Sequence, residues 1–573
     1  MSSNKSALTL RAALIASFLS LFLLASTSYI ALKIGAAPWP VIFSVVVSGG
    51  LLKLLDRGRK TDIHEVNVAQ AGASIGGLVA AGVSFTIPGI IFLQQAGQTD
   101  LQIPDLLPLS LLCVGAAVLG ILLAIPMKAT FVDEEQLPYP AGTAGAELLK
   151  LGKTGGRELR LITALGASAA LFALLRDVYF PAGFALSFLV PAGIFITLLP
   201  MPLAIGSGYI LGPRASFSWM GGAAVGWLII VPLLVNNGMA AATAPVWVQN
   251  LGMGMVLGSG VGFFLSYVVP RIKRIFGPFF DARSNGKWWI SLAVLPAVAI
   301  LLWTGVPPLA VFITLAGTWM MVAVAARMTG ETNINPLEQF GIFVGLLVSL
   351  AYALMPGEIP MAAVFMVVVF VSVACAVAGD AGHDFKSAVI IGTSFRDVVR
   401  VDLITAVVSG AAAPVILGVI FSAFQSQLFS DIMPAPQARM VAGSISGFAF
   451  PLVFWSGFAL ALVGEFINSR LPGKWQNLFL IMPFGIGLFL GVGLALPIAL
   501  GAWIRMRVEG KYPNLYGSIL LMAAGVMGGE GIAGFAAGAL TIAGLNYAQG
   551  AAILGGIFGL ILLLALIRKP GQS

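Results

Sequence analysis

The strongest constraint on this chain is a recurring one: runs of about twenty uncharged, mostly apolar residues, separated by short polar stretches. At a rise of 1.5 Å per residue, such a run is long enough to cross the ~30 Å hydrocarbon layer as a helix. Of the 573 residues, 59% are hydrophobic and only 9% charged, more apolar surface than a soluble domain can cover. The expected fold is therefore all-α, a polytopic integral membrane protein of about 14–16 transmembrane helices. The net charge of +8 is then no nucleic-acid footprint, because the basic residues sit in short clusters between spans, as in cytoplasmic loops. Cys113 and Cys375 lie within apolar runs and imply no disulfide framework. The first run, Ala12 to Leu32, is too long for a signal peptide and is soon followed by another, so it reads as a retained span.

Charge sets the expected path. Lys5 and Arg11 place the N-terminus in the cytoplasm, and the basic stretches with Lys53, Arg57, Arg59 and Lys60, with Lys128, Lys150, Lys153, Arg157 and Arg160, and with Arg271, Lys273, Arg274, Arg283 and Lys287 fall on the same side. Expected crossings in residues 1–280 are 12–33, 38–55, 66–93, 106–127, 161–176, 181–200, 216–235 and 250–270, with a Gly/Pro-broken stretch at 200–214. In residues 281–573 they are 288–304, 307–327, 336–355, 360–379, 401–424, 440–467, 514–537 and 549–567. Spans 401–424 and 440–467 bracket an outer loop with Asp431, Arg470 and Lys474 are cytoplasmic again, and Arg505, Arg507, Arg568 and Lys569 stay on that side if 477–504 is re-entrant. MPLAIGSGY (201–209) resembles MPFGIGLFL (482–490), a pairing of interrupted segments that points to a secondary transporter with a midplane site. Eight spans per half imply a parallel rather than an inverted repeat, with room for smaller inverted units nested inside. Among 69 glycines, the four-residue spacing of Gly254, Gly258 and Gly262, with Gly252 nearby, implies close helix packing.

Within this apolar background a few polar groups stand out. GDAGHDFKS (379–387) ends a span with four ionisable groups, and a helix would place Asp380, His383, Asp384 and Ser387 on one face. Ionisable groups at membrane depth face a protein interior or a water path, which suits a coupling-ion or substrate site; solvated charges in a loop are the alternative. Asn67 and Gln70 share a face and either line a path or bond a neighbouring helix. In LPYPAGTAGAELLK (137–150), Tyr139 stands at a break before a short helix carrying Thr143 and Glu147. Its N-terminus could offer free N–H groups to an anion, or the segment could be a surface turn. Asn335 as cap and Pro336 at the first helical position give Glu338 and Gln339 a structural explanation. Glu530, in MGGEG, is a carboxylate alone in an apolar run, suited to proton exchange; Glu465 lies near a span end.

Several motifs are missing. GKT at 152–154 lacks the first glycine of a phosphate loop, since position 147 is Glu147. HExxH is absent, and His64 and His383 are too few for a histidine-built metal cluster. An ion gradient, rather than ATP, is the expected energy source, with no cofactor or metal and no enzymatic activity.

Several stretches resemble the oligopeptide transporter family, the proton-coupled carriers that include yellow stripe-like metal-chelate transporters. LKIGAAPWP, NVAQAGASIGGLVAAGVSFTIPGI, EEQLPYPAGTAGAELL, GSGYILGPR, GDAGHDFKSAVIIGTSFRD and MGGEGIAG match its pattern in order and spacing. Gly382 and His383 stand where the family commonly has Met-Gln. The resemblance implies proton-driven uptake of small peptides, or alternatively of metal–chelator complexes, across the inner membrane. It assigns Asn67, Gln70, Tyr139, Thr143, Glu147 and Lys386 to substrate binding, and Asp380, Asp384 and Glu530 to proton coupling; His383, between the two aspartates, would affect how they hold a proton. Both termini would be cytoplasmic. The expected partners are the substrate, protons and membrane lipid, with no nucleic acid and with a homo-oligomer compatible. Rivals from other classes are an intramembrane enzyme acting on a lipid-linked substrate and a passive channel.

Overall fold

The computed structural model describes residues 6–567 apart from 36, 38–40, 57–60, 151–155, 181–182, 274–287, 334, 356–357, 431 and 473–478. The GKT stretch, Lys5, Arg57, Arg59, Lys60, Arg274, Arg283, Lys287, Asp431, Lys474, Arg568 and Lys569 lie outside the described residues. Twelve helical stretches among the described residues are long and apolar enough to cross a membrane, and five shorter apolar helices accompany them.

The first half comprises α1 (Leu10–Ile34), α2 (Val41–Leu54), α3 (Ile63–Ser84) prolonged by α4 (Pro88–Gln95), α5 (Leu106–Ala124), α6 (Pro140–Lys150) and α7 (Gly156–Tyr179). It continues with α8 (Pro202–Leu211), α9 (Pro213–Ala224), α10 (Val231–Asn236) and α11 (Thr243–Phe263). After α12 (Trp288–Trp303) come α13 (Pro308–Thr332), α14 (Leu337–Ala353), α15 (Met361–Ile391), α16 (Phe395–Phe424), α17 (Pro436–Ser446) and α18 (Pro451–Asn468). The chain ends with α19 (Ile481–Leu490), α20 (Val492–Lys511), α21 (Tyr516–Ile542) and α22 (Tyr547–Ile567).

Three expectations change. Of the expected span 181–200, residues 183–200 do not form a helical crossing: Gly183, Pro191, Gly193 and Pro200 interrupt the run. Phe184–Ala185 instead pairs antiparallel with Thr197–Leu198 around a 3-10 turn at Ser187–Ala192. The run 440–467 is split into α17 and α18, with Gly447 at φ 101° ending the first and Pro451 opening the second. Asn335 does not cap α14, which Pro336 precedes; its Nδ2 donates to the Cys375 carbonyl at 2.9 Å.

The two broken stretches, 200–214 and 477–504, are built alike. Each has a ten-residue helix (α8, α19), one extended glycine at positive φ (Gly212, φ 85°; Gly491, φ 78°) and a second helix (α9, α20). Only glycine enters that region without strain. A Cβ on Gly208 would strike the Ile498 carbonyl, and one on Gly487 the Trp219 carbonyl. Adding 279 to 208 and 219 gives 487 and 498, so the two contacts are one contact made twice.

The same doubling runs through the rest. Gly35 and Asn333 end α1 and α13 in the left-handed region, at φ 65° and 60°. Tyr139 (φ 39°) donates its N–H to the Gly330 carbonyl at the end of α13, and Ala435 (φ 41°) donates its own to Leu32 at the end of α1. Each then opens an eleven-residue helix, α6 or α17. In this order α3–α4 corresponds to α15. Their contacts run in opposite chain directions: Gln70 meets Asp384, Ser74 meets Asp380, and the Cβ sites of Gly82 and Gly89 meet Val373 and Phe365. Equivalent helices are therefore antiparallel and the repeat is inverted, not parallel.

Gly208→Ala and Gly487→Ala should each lower stability by about 1–3 kcal/mol, because the backbone contact cannot open without moving a helix. Gly418→Ala, at a position with nothing within 4 Å, should be neutral or stabilising. Thermal unfolding in detergent checks this; equal effects at all three would contradict the close approach.

Candidate functional site

GDAGHDFKS contains no proline, and α15 runs through it to Gly392, whose φ of 80° ends the helix. Asp380, His383, Asp384 and Ser387 are buried on one face of the helix. They meet Asn67, Gln70 and Ser74 of α3. The Ser74 hydroxyl lies 2.8 Å from the Ala71 carbonyl, 2.5 Å from Asp380 Oδ2 and 3.4 Å from Asp384 Oδ2. One hydroxyl proton cannot serve three acceptors. If it goes to Ala71, the short contact with Asp380 needs a proton on the carboxyl. Asp402 of α16, also buried, lies within electrostatic reach of both aspartates, and its oxygens accept no hydrogen bond among the described residues. No Lys or Arg forms a salt bridge with any of the three among the described residues.

A polar ladder leaves this cluster along α3. Gln70 Nε2 is 3.4 Å from both Asp384 Oδ1 and Asn67 Oδ1. Ser387 donates to Asn67 Oδ1 at 3.0 Å, and Asn67 Nδ2 donates to the Thr393 hydroxyl at 3.0 Å. The His64 ring, half-buried near the start of α3, is 3.2 Å from Thr393. The ladder joins a buried cluster to a partly open helix end.

The start of α6 faces the same cluster from another side. Tyr139 is buried, its hydroxyl donating to the Ala326 carbonyl at 2.9 Å and its ring meeting His383 edge-on at 5.5 Å. Gly142 N–H donates to His383 Nδ1 at 3.1 Å, and Ala141 N–H to Asn333 Oδ1 at 3.3 Å. These first amides are taken by protein groups, so this helix end does not offer them to a ligand. Gly142 and Gly382 allow the approach, since a Cβ on either would meet His383 backbone or the Tyr139 ring.

The other expected residues lie apart. Thr143 donates to the Pro138 carbonyl at 2.6 Å, a local turn. Glu147 is exposed on α6. Lys386 is half-buried, two residues past Asp384 and so turned off the aspartate face.

Glu530 is not a lone carboxylate. Its Oε1 accepts from Arg176 of α7 at 2.6 Å and its Oε2 from the Leu203 N–H at 2.8 Å, at the first turn of α8. Arg176 also pairs with Asp177 at 2.7 Å, and Asp177 meets Lys33 at 3.7 Å and the Tyr547 hydroxyl at 3.2 Å. Two cations and two anions from α1, α7 and α21 balance inside the protein. Linear distance hid the pair: 354 residues separate Arg176 from Glu530. Ser74 was findable, one turn after Gln70 on the same face. Asp402, in line with Arg396 and Arg400, reads as a loop charge.

The family model described as OPT oligopeptide transporter protein matches residues 7–274 and 285–541. A Haemophilus influenzae protein named "Putative oligopeptide transporter" is 24% identical over 592 aligned positions, covering 88% of this chain and 91% of that protein. The motifs quoted from the sequence lie inside the matched ranges, and the chain belongs to the OPT oligopeptide transporter family.

Proposed function

We propose that this protein is a proton-coupled secondary transporter that imports small peptides across the inner membrane by alternating access, with both termini cytoplasmic. The observation that carries the coupling is the buried trio Asp380, Asp384 and Asp402, which has no cationic partner among the described residues. Three unpaired negative charges there would each cost several kcal/mol, so protons are the natural countercharge. The crowded acceptors around Ser74 fit the same state. The ladder through Gln70, Asn67 and Thr393 to His64 lines a polar track from the aspartates to the start of α3; its amide N–H groups only donate at these contacts, so a proton moving along it needs water as carrier. Glu530, held by Arg176 and Leu203, is an anchor between helices in this reading rather than the proton carrier.

The inverted repeat supports the alternation. Two antiparallel copies of one unit can exchange their shapes, so that a site between them opens to one side and then the other. Peptide sits against the broken segments around Gly212 and Gly491, which belong to opposite copies.

In proteoliposomes, an inwardly directed proton gradient should raise the accumulation of labelled tripeptide above its equilibrium level, and a protonophore should abolish the excess. Uptake indifferent to the gradient would refute the coupling. Competition by a ferric chelate, with no competition by unlabelled peptide, would replace the peptide as substrate.

A further inference from the structure

A groove of about 470 Å³ runs between α7, the start of α8 and the middle of α20. Its wall is wholly apolar and includes Phe172 on α7, Pro200 and Pro202 around the start of α8, and Leu496, Pro497 and Leu500 on α20. Phe172 and Leu500 are nearly half exposed, so the groove opens on the surface that faces lipid in a membrane-spanning chain. Prolines shape it. The offset of 279 between the copies puts Phe479, Ile481 and Ser218 where Pro200, Pro202 and Pro497 stand. There the Ser218 hydroxyl accepts the Leu480 N–H at 3.1 Å, and the Phe479 ring packs on Phe484 at 5.1 Å. Pro497 has no hydroxyl with which to tie α20 to the start of α8, and that corner stays open.

The inverted repeat gives the depth of the groove. Twin positions sit equally far from the bilayer midplane, on opposite sides. Gly491 opens α20, and its twin Gly212 lies against Arg505 of that same helix. The midplane therefore crosses α20 midway between 491 and 505, at Ile498, beside the groove. From Ile498 to Arg507 the helix rises about 13 Å, close to the ~15 Å half-thickness of the hydrocarbon layer.

Leu496, Leu500, Trp503 and Arg507 recur at i, i+4, i+7 and i+11, one stripe leading from the groove to that boundary. Trp503 is 47% exposed, and the Arg507 guanidinium lies over its ring, 4.9 Å from a centroid. Stacking leaves the N–H edge of the guanidinium free for phosphate oxygens. Arg507 forms no salt bridge among the described residues, nor does Lys511, exposed one turn further on. The acid between them, Glu509, is taken by Arg505 at 2.8 Å.

We propose that this groove holds an acyl chain of one anionic phospholipid of the cytoplasmic leaflet, whose phosphate meets Arg507 and Lys511. Hydrocarbon suits an apolar wall at the midplane, and two cations at the polar boundary select a negative headgroup. Trp503 sits at the level where amphipathic rings gather. The lipid wedges between α8 and α20, broken helices of opposite copies. The assignment uses the orientation given above and is independent of the substrate, so a failed peptide-transport reading leaves its test unchanged.

The test is native mass spectrometry of the full-length protein in detergent, titrated with phosphatidylglycerol, phosphatidylethanolamine and water-soluble glycerol phosphate. The wild type should bind one phosphatidylglycerol at least about tenfold more tightly than phosphatidylethanolamine. Arg507→Gln with Lys511→Gln should remove that preference and leave phosphatidylethanolamine binding unchanged. Leu500→Trp, which fills the groove, should weaken both lipids at least about tenfold. Leu295→Trp, at a 67% exposed position on α12, should weaken neither. The headgroup variant decides the matter even where Leu500→Trp does not fold. Equal binding of the two lipids by the wild type, displacement of lipid by glycerol phosphate, or wild-type binding in the headgroup variant would overturn the site. Equal effects of Leu500→Trp and Leu295→Trp would overturn it as well.

Discussion

Replacing Asp384 by asparagine should abolish gradient-driven accumulation while leaving a folded protein that still exchanges peptide across the membrane. Asparagine keeps the shape of the carboxyl group but can neither release nor accept the transported proton. If Asp384 holds a proton in this state, as its buried position beside Asp380 and Asp402 suggests, a neutral isostere costs little stability here. Driven uptake should fall at least about tenfold, equivalent to ~1.4 kcal/mol or more of lost coupling. Counterflow with peptide on both sides should persist, because it needs no net proton movement. Asp402→Asn tests the residue that sequence reasoning passed over; a fall in driven uptake with counterflow intact would place it in the same proton site. A variant that loses counterflow and driven uptake alike would mean that the aspartates hold peptide or structure instead.

Arg176→Met should be the most destabilising single substitution in the membrane core, by about 3–5 kcal/mol. It leaves Glu530 and part of the charge of Asp177 unmatched where Gly529 and Gly166 press two helices together. A loss of that size is comparable to much of the ~5–15 kcal/mol that holds an ordinary domain together, and little folded protein should be recovered. Adding Glu530→Gln to Arg176→Met removes the stranded charge and should restore a large part of the yield. Glu530→Gln alone should lower the unfolding temperature yet leave the surviving protein proton-coupled. Size-exclusion profiles and thermal unfolding in detergent read the first effects, and gradient-driven uptake reads the last. Loss of coupling in a fully stable Glu530→Gln protein would return the proton to that residue.

Much of the architecture is legible in the sequence because the bilayer imposes length and polarity on every span. The reading fails where a crossing is not a continuous helix. Residues 181–200 are apolar enough to cross, but their prolines and glycines leave backbone groups that pair in a short hairpin instead. The rhyme between MPLAIGSGY and MPFGIGLFL is genuine, and both stretches become short helices ended by an extended glycine. Its sense was hidden, since whether copies are parallel or inverted depends on the parity of the spans between them, which short and broken helices obscure.

At the candidate site, local spacing found what lies on one helix. The 3.6-residue period places Asp380, His383, Asp384 and Ser387 together, and Asn67 with Gln70. The partners that decide their chemistry come from elsewhere in the chain. Ser74 and Asp402 surround the aspartates, whereas Arg176 turns Glu530 from a solitary acid into half of an ion pair. No one-dimensional pattern distinguishes those two situations.

The most direct measurement is peptide-evoked acidification of vesicles containing a trapped pH-sensitive dye, with no gradient imposed at the start. Wild-type protein should acidify the lumen when tripeptide is added outside, with initial rates that track peptide influx, and Asp384→Asn should admit peptide without acidification. Peptide entry at wild-type rates with no change in lumenal pH would contradict the claim that the buried aspartates carry a proton with each cycle.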